Sequence, residues 1–148
     1  MVKYLLDTNI CIYLMKNQPV SVATKFASLN VGDVGISAIT LAELEQGIGK
    51  DADLAISRRK QLSALLRLIP SIPFDDAAAI SYGIIRNQGA QLGRNRFDTL
   101  IAAQALAGKL ILVTNNISDF AGIKNLVIEN WVEHEEEHAG ERSLIQQA

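Results

Sequence analysis

The strongest constraint on this chain is an alternation. Short apolar runs that suit buried strands, VKYLL at residues 2–6, Val34–Ser37 and LILVT at 110–114, are separated by stretches of helical periodicity. Weaker strand signals lie at 126–128 and, despite two prolines, at 69–74. Helical patterns cover residues 8–16, 20–29, 39–49, 52–69, 75–92 and 97–108. Strands that alternate with helices predict an α/β fold with a mainly parallel central sheet. In such sheets, ligands bind beyond the carboxyl ends of the strands.

At 148 residues, one domain is the default reading. An apolar fraction of 49% with 20% charged residues excludes a disordered or coiled-coil chain. The single cysteine, Cys11 in NICIYL, excludes a disulfide framework and reads as a small core residue. There is no apolar run of membrane-spanning length and no basic segment leading into an apolar one, so the expectation is a soluble cytoplasmic protein. Composition breaks after Trp131, which reads as an anchor of the fold. Residues 1–132 are expected to form the domain and 133–148 an acidic tail, with His134 and His138 solvated among glutamates.

The net charge of −2 conceals this break. The tail holds five acids against one arginine, which leaves residues 1–132 with 13 basic and 11 acidic side chains.

Four of those acids fall where a ligand is expected. Asp7 follows the first strand, and Asp119 follows LILVT by five residues in NNISDF. Glu43 lies in SAITLAELEQG, on a face with Thr40 and Gly47 that leaves space around its carboxylate, while Leu41, Leu44 and Ile48 form the apolar stripe. Asp98 opens FDTLIAAQALAG and heads the stripe Ile101, Ala102 and Ala105. Singly, these acids read as helix caps, an Asx-turn or a solvated helix position. Together at one sheet edge they would repel unless a cation lay between them. An oxygen-only set suits Mg²⁺ and disfavours zinc, since no histidine precedes residue 134. Carboxylate-held metals commonly act on phosphate esters. Thr8 and Asn9 open the helix after Asp7 and offer donors to a ligand, or else a simple N-cap.

LLDTNICIY, ISAITLAELEQG, FDTLIAAQALA and LVTNNISDF, in this order and spacing, resemble a PIN-domain ribonuclease of the VapC toxin type, from about residue 2 to residue 131. The resemblance implies a three-layer α/β/α sandwich, endonucleolytic RNA cleavage with Mg²⁺ or Mn²⁺, homodimerisation and inhibition by a VapB-type antitoxin. DNA would be met only through that antitoxin. Asp7, Glu43 and Asp98 match the family's acidic triad, and Asp119 its more variable fourth acid. Asn116 stands where some PIN domains carry an acid. Arg86 matches the family's arginine on the helix before Asp98, and Arg94 and Arg96 add charge just upstream. These three, with Lys16 and Lys50, are candidates for holding RNA phosphates. The LLDTNICIY start is most similar to the enterobacterial branch, which implies initiator tRNA cut in its anticodon stem-loop. Two other readings stand beside this one: a phosphatase using Asp7, weakened because Asn9 replaces a second aspartate, and a non-catalytic PIN-like module that binds a protein.

Overall fold

A computed structural model describes residues 1–88 and 96–133. Its centre is β1 (Tyr4–Leu6), flanked by β2 (Val34–Ser37) and β4 (Ile111–Val113), with β3 (Ser71–Ile72) and β5 (Ile128–Glu129) at the edges. The order is β3-β2-β1-β4-β5, and every neighbouring pair runs parallel. Leu5 pairs with Gly35 and Leu112, and Leu6 with Ile36 and Val113. Because successive side chains point to opposite faces, Leu5 and Leu6 feed two separate cores.

The Leu6 core holds Ile10 and Cys11 of α1 (Thr8–Lys16), Val22 of α2 (Val20–Ala27), Leu44 and Ile48 of α3 (Ala38–Gly49), and Leu62 and Leu65 of α4 (Ala55–Leu68). The Leu5 core holds Ile85 of α5 (Asp76–Asn87), Ile101, Ala102 and Ala105 of α6 (Arg96–Ala107), and Phe120 of α7 (Ile117–Phe120). Helices on both faces of a parallel sheet make the three-layer sandwich. Full burial of both sheet faces is also why the strand runs read as continuous apolar segments instead of alternating ones.

Each predicted strand and helix has its counterpart, and the boundaries differ for local reasons. The LILVT strand starts a residue late because the Leu110 N–H is spent on the Ala105 carbonyl at 2.8 Å, closing the end of α6. The 126–128 strand shifts toward Glu129, as Leu112 N–H already meets the Val127 carbonyl and Thr114 N–H that of Glu129. The helix expected over 75–92 ends at Asn87, where Gln88 caps α5 by donating its N–H to the Ile85 carbonyl; residues 89–92 lie outside the described residues, as does the tail from residue 134. α7 was not predicted, since four residues are too few for a periodic signal.

Trp131 is buried, meets Tyr4 edge-on at 5.5 Å between ring centroids, and donates its indole N–H to Glu129. Cys11 is fully buried, and desolvation, with the Asp7 charge adding to it, pushes its thiol well above the usual range.

Candidate active site at the carboxyl edge of the sheet

Chain order reverses direction across the sheet at β1: β2 and β3 extend to one side, β4 and β5 to the other. In open α/β sheets the ligand crevice lies outside the carboxyl ends of the strands at such a switch point, here those of β1 and β4. Asp7 follows β1 directly, its N–H bonded to the Val113 carbonyl at 3.0 Å, so the β1–β4 pairing extends by one residue and fixes the aspartate at the crevice. Asp7 is also the N-cap of α1, accepting from the Ile10 N–H at 2.9 Å. The capping and ligand readings therefore apply to the same side chain. Burial raises its pKa above the ordinary value of 3.8, opposed first by a hydrogen bond from Thr114.

Thr8 and Asn9 begin α1, and neither is its cap. Thr8 donates its hydroxyl to Glu43 Oε1 at 2.7 Å, joining α1 to α3. Glu43 is half-buried there, unlike Glu45 two residues on, which is exposed and pairs with Arg59 at 2.7 and 2.6 Å. On the Glu43 face, Gly47 opens onto free space, whereas Thr40 is fully buried.

Asp98 sits in the first turn of α6, half-buried. Its carboxyl is pushed up to about 6, first by desolvation and then by the charges of Asp7, Glu43 and Asp119. Four acids on four different elements thus share one field. Asp119, exposed in the first turn of α7, reaches Asp98 electrostatically. Asn116, exposed at the N-terminal end of that turn, makes no side-chain cap; its N–H is held by Thr114 Oγ1 at 3.0 Å.

Thr114 escaped the sequence reading except as a strand end. It is fully buried, bonds Asp7 and holds Asn116, so it ties the β1 acid to the β4–α7 turn. The available signal was a hydroxyl at the carboxyl end of the strand beside Asp7.

Among the basic candidates, Arg86 is exposed in the last turn of α5, and Arg96 is exposed in the first turn of α6, two residues before Asp98. Arg94 lies outside the described residues. Lys16 and Lys50 border a cavity that also touches Thr8 and Glu43.

The donor set is all oxygen and mutually repulsive, which fits a hard divalent cation. Among the described residues, no three His, Cys, Asp or Glu side chains are drawn into a closed shell. Mg²⁺ does not require one, because it keeps several waters and uses one or two direct carboxylates. If an ion binds here, Asp7, Asp98, Glu43 and Asp119 are the residues that would hold it.

The PIN domain family matches residues 4–125. The tRNA(fMet)-specific endonuclease VapC of Shigella flexneri is 39% identical over 137 residues, covering 88% of this chain and 99% of that protein. A chain in the crystal structure of VapBC2 from Rickettsia felis bound to a DNA fragment from its promoter superposes with a TM-score of 0.78 at 35% identity, covering 89% of this chain and 100% of that one. A chain of the DNA-bound VapBC of Salmonella typhimurium does so with a TM-score of 0.79 at 34% identity, over 89% and 100%.

Proposed function

The chain belongs to the PIN-domain family and to its VapC-type toxin ribonucleases, and from that premise we propose that it cuts initiator tRNA in the anticodon stem-loop, using Mg²⁺ or Mn²⁺ held by Asp7, Glu43, Asp98 and Asp119. The observation that carries this reading is the gathering of Asp7, Glu43, Asp98 and Asp119 at the switch point, where desolvation first and then the charges of the other three push the Asp98 carboxyl up. The choice of RNA is supported by the Shigella relative, named for tRNA(fMet).

A divalent ion bound there supplies an activated water and charge neutralisation at the leaving oxygen. The chain's own residues do the rest. Thr8 fixes the Glu43 carboxylate, Thr114 and the Ile10 N–H fix Asp7, and the first turn of α6 presents Asp98. Arg96 and Arg86, with Arg94 upstream, are assigned to RNA phosphates, and Asn9 and Asn116 offer amides at the same edge. Setting the four site acids aside leaves seven acids against 13 basic residues in 1–132, a balance compatible with RNA.

The partner is a VapB-type antitoxin, as in the VapBC complexes that this chain resembles. In this proposal DNA is met through that antitoxin. The protein acts as a homodimer, for which Ile80 and Ile84 offer exposed apolar surface one turn apart on α5. Residues 1–132 are the nuclease unit and 133–148 a tail outside it. No helix among the described residues is long and apolar enough to cross a membrane, and the proposed site of action is the cytoplasm. The phosphatase and the non-catalytic readings have no comparable support.

Induced expression of wild type and Asp7→Asn, followed by sequencing of RNA 5′ ends, tests the proposal. New ends clustered in the anticodon loop of initiator tRNA in wild type alone support it. Identical maps from both proteins would end it.

A further inference from the structure

Between α1, α3 and α4 a cavity of about 280 Å³ opens beside Thr8 and Glu43. Its walls are largely apolar, with Met15 and Leu62 among them, while Lys16, Lys50 and Arg58 bring three cations and Gln61 a carboxamide. Gly47 lies in α3, where glycine weakens a helix relative to alanine. A Cβ at Gly47 would meet nothing within 4 Å, so packing does not demand the glycine, and the space above it belongs to the cavity. Arg58 donates to the Gly47 carbonyl at 3.0 Å and so fixes this side of the cavity.

A concave apolar chamber with a few convergent polar groups is the usual form of a small-ligand site. Here it starts at the carboxylate assigned to phosphodiester cleavage and is bordered by cations. Lys16 and Lys50 are exposed at its border, where a purely apolar segment would bring them no counter-charge. A nucleotide satisfies each feature: a flat ring against aliphatic and thioether groups, an edge that can hydrogen-bond to the Gln61 amide, and phosphates for Lys16 and Lys50. Sequence-specific RNA recognition targets bases splayed out of loops, so the ring must be unstacked to enter. Among the described residues no aromatic side chain lines the chamber, so a base held there would be gripped without ring stacking.

We propose that this cavity receives one unstacked nucleotide of the RNA, next to the scissile phosphodiester, and thereby selects loop over duplex. The proposal rests on the ribonuclease reading above, deepens it to a substrate feature, and is tested by binding alone. In an Asp98→Asn background, which removes cleavage, dissociation constants are measured for an RNA stem-loop and for a blunt RNA duplex of equal length. Gly47→Leu, which fills the cavity, is expected to reduce the stem-loop preference about tenfold. Gly47→Ala reduces it less and serves if the leucine variant fails to fold. Lys50→Gln is expected to flatten the salt dependence of stem-loop binding by about one phosphate contact. A preference unchanged in both glycine variants overturns the proposal, and an unchanged preference together with lost co-purification of a co-expressed VapB-type partner assigns the cavity to protein. Should wild type cut no RNA while the preference still falls in Gly47→Leu, the ribonuclease reading fails and the nucleotide cavity stands.

Discussion

Thr8 donates its hydroxyl to Glu43 at 2.7 Å across 35 residues of sequence, so the side chain that follows the β1 acid holds the acid on α3. The bond links two of the four carboxylates' supporting elements before any ligand arrives. Thr8→Val keeps the shape and removes the donor. A hydrogen bond to a charged group is worth about 1.5–3 kcal/mol, less where water competes, as it does at half-buried Glu43. Cleavage by Thr8→Val should therefore fall about tenfold, with apparent divalent-ion affinity weakened and Thr8→Ser restoring most of both. Titration of cleavage against Mg²⁺ for the three proteins is the measurement; identical curves would mean that Glu43 needs no such support.

Asp7 has two tasks that substitution can separate. Asn at this position still caps α1, because its amide oxygen can accept from the Ile10 N–H, and it removes one charge from a repulsive set. Asp7→Asn is expected to melt, in the absence of divalent ions, at or above the wild-type temperature while cleavage is lost. Asp7→Ala removes the cap as well and should cost about 0.5–2 kcal/mol. Chelated thermal melts paired with RNA cleavage read both effects. A clear destabilisation by Asp7→Asn would assign the residue to structure alone.

Asp98 gives the site a pH signature. Its carboxyl ionises at about 6 in the fold against an ordinary 3.8. Below 3.8 it is protonated in folded and unfolded chains alike and has no effect. Between 3.8 and 6 the unfolded chain releases a proton that the fold keeps, so the folded state binds more protons and this contribution falls as pH rises. Above 6 the penalty is complete. Asp7, raised by burial, acts with the same sign. Chelated wild type should thus lose stability relative to Asp98→Asn between about pH 4 and pH 6, and the gap should then level off. Melting both proteins across that range checks it, and a constant gap would contradict the shared field.

The fold was legible in the sequence because both faces of the sheet are covered, which turns Val34–Ser37 and the run at 110–114 into continuous apolar segments that no surface strand would show. Asp7, Asp98 and Asp119 could be singled out because each follows a strand run or heads a helix, and Glu43 because it lies off the apolar stripe of α3. Three features could not. α7 has four residues, too few for a period. Thr114 looks like the end of an apolar run, and only the β1–β4 pairing brings it to Asp7. The cavity over Gly47 needs α4 packed against α1 and α3, a tertiary fact that no local pattern contains.

Divalent-ion binding should stabilise the protein through these same acids. An ion that binds only the folded chain adds about 2.7 kcal/mol at a hundredfold excess over its dissociation constant. For a chain of this size each kcal/mol raises the melting temperature by about 2–4 °C, so saturating Mg²⁺ or Mn²⁺ should raise it by about 5–10 °C at neutral pH. The rise should shrink toward about pH 5, where protons compete for Asp98, and should be nearly absent in Asp98→Asn. Glu45→Gln is the control: its exposed pair with Arg59 lies outside the set of charges that raise Asp98, and the ion-induced rise should persist in that variant. Thermal melts with and without each ion, for the three proteins, decide the matter. An equal rise in wild type and Asp98→Asn would place the stabilising ion elsewhere on the surface.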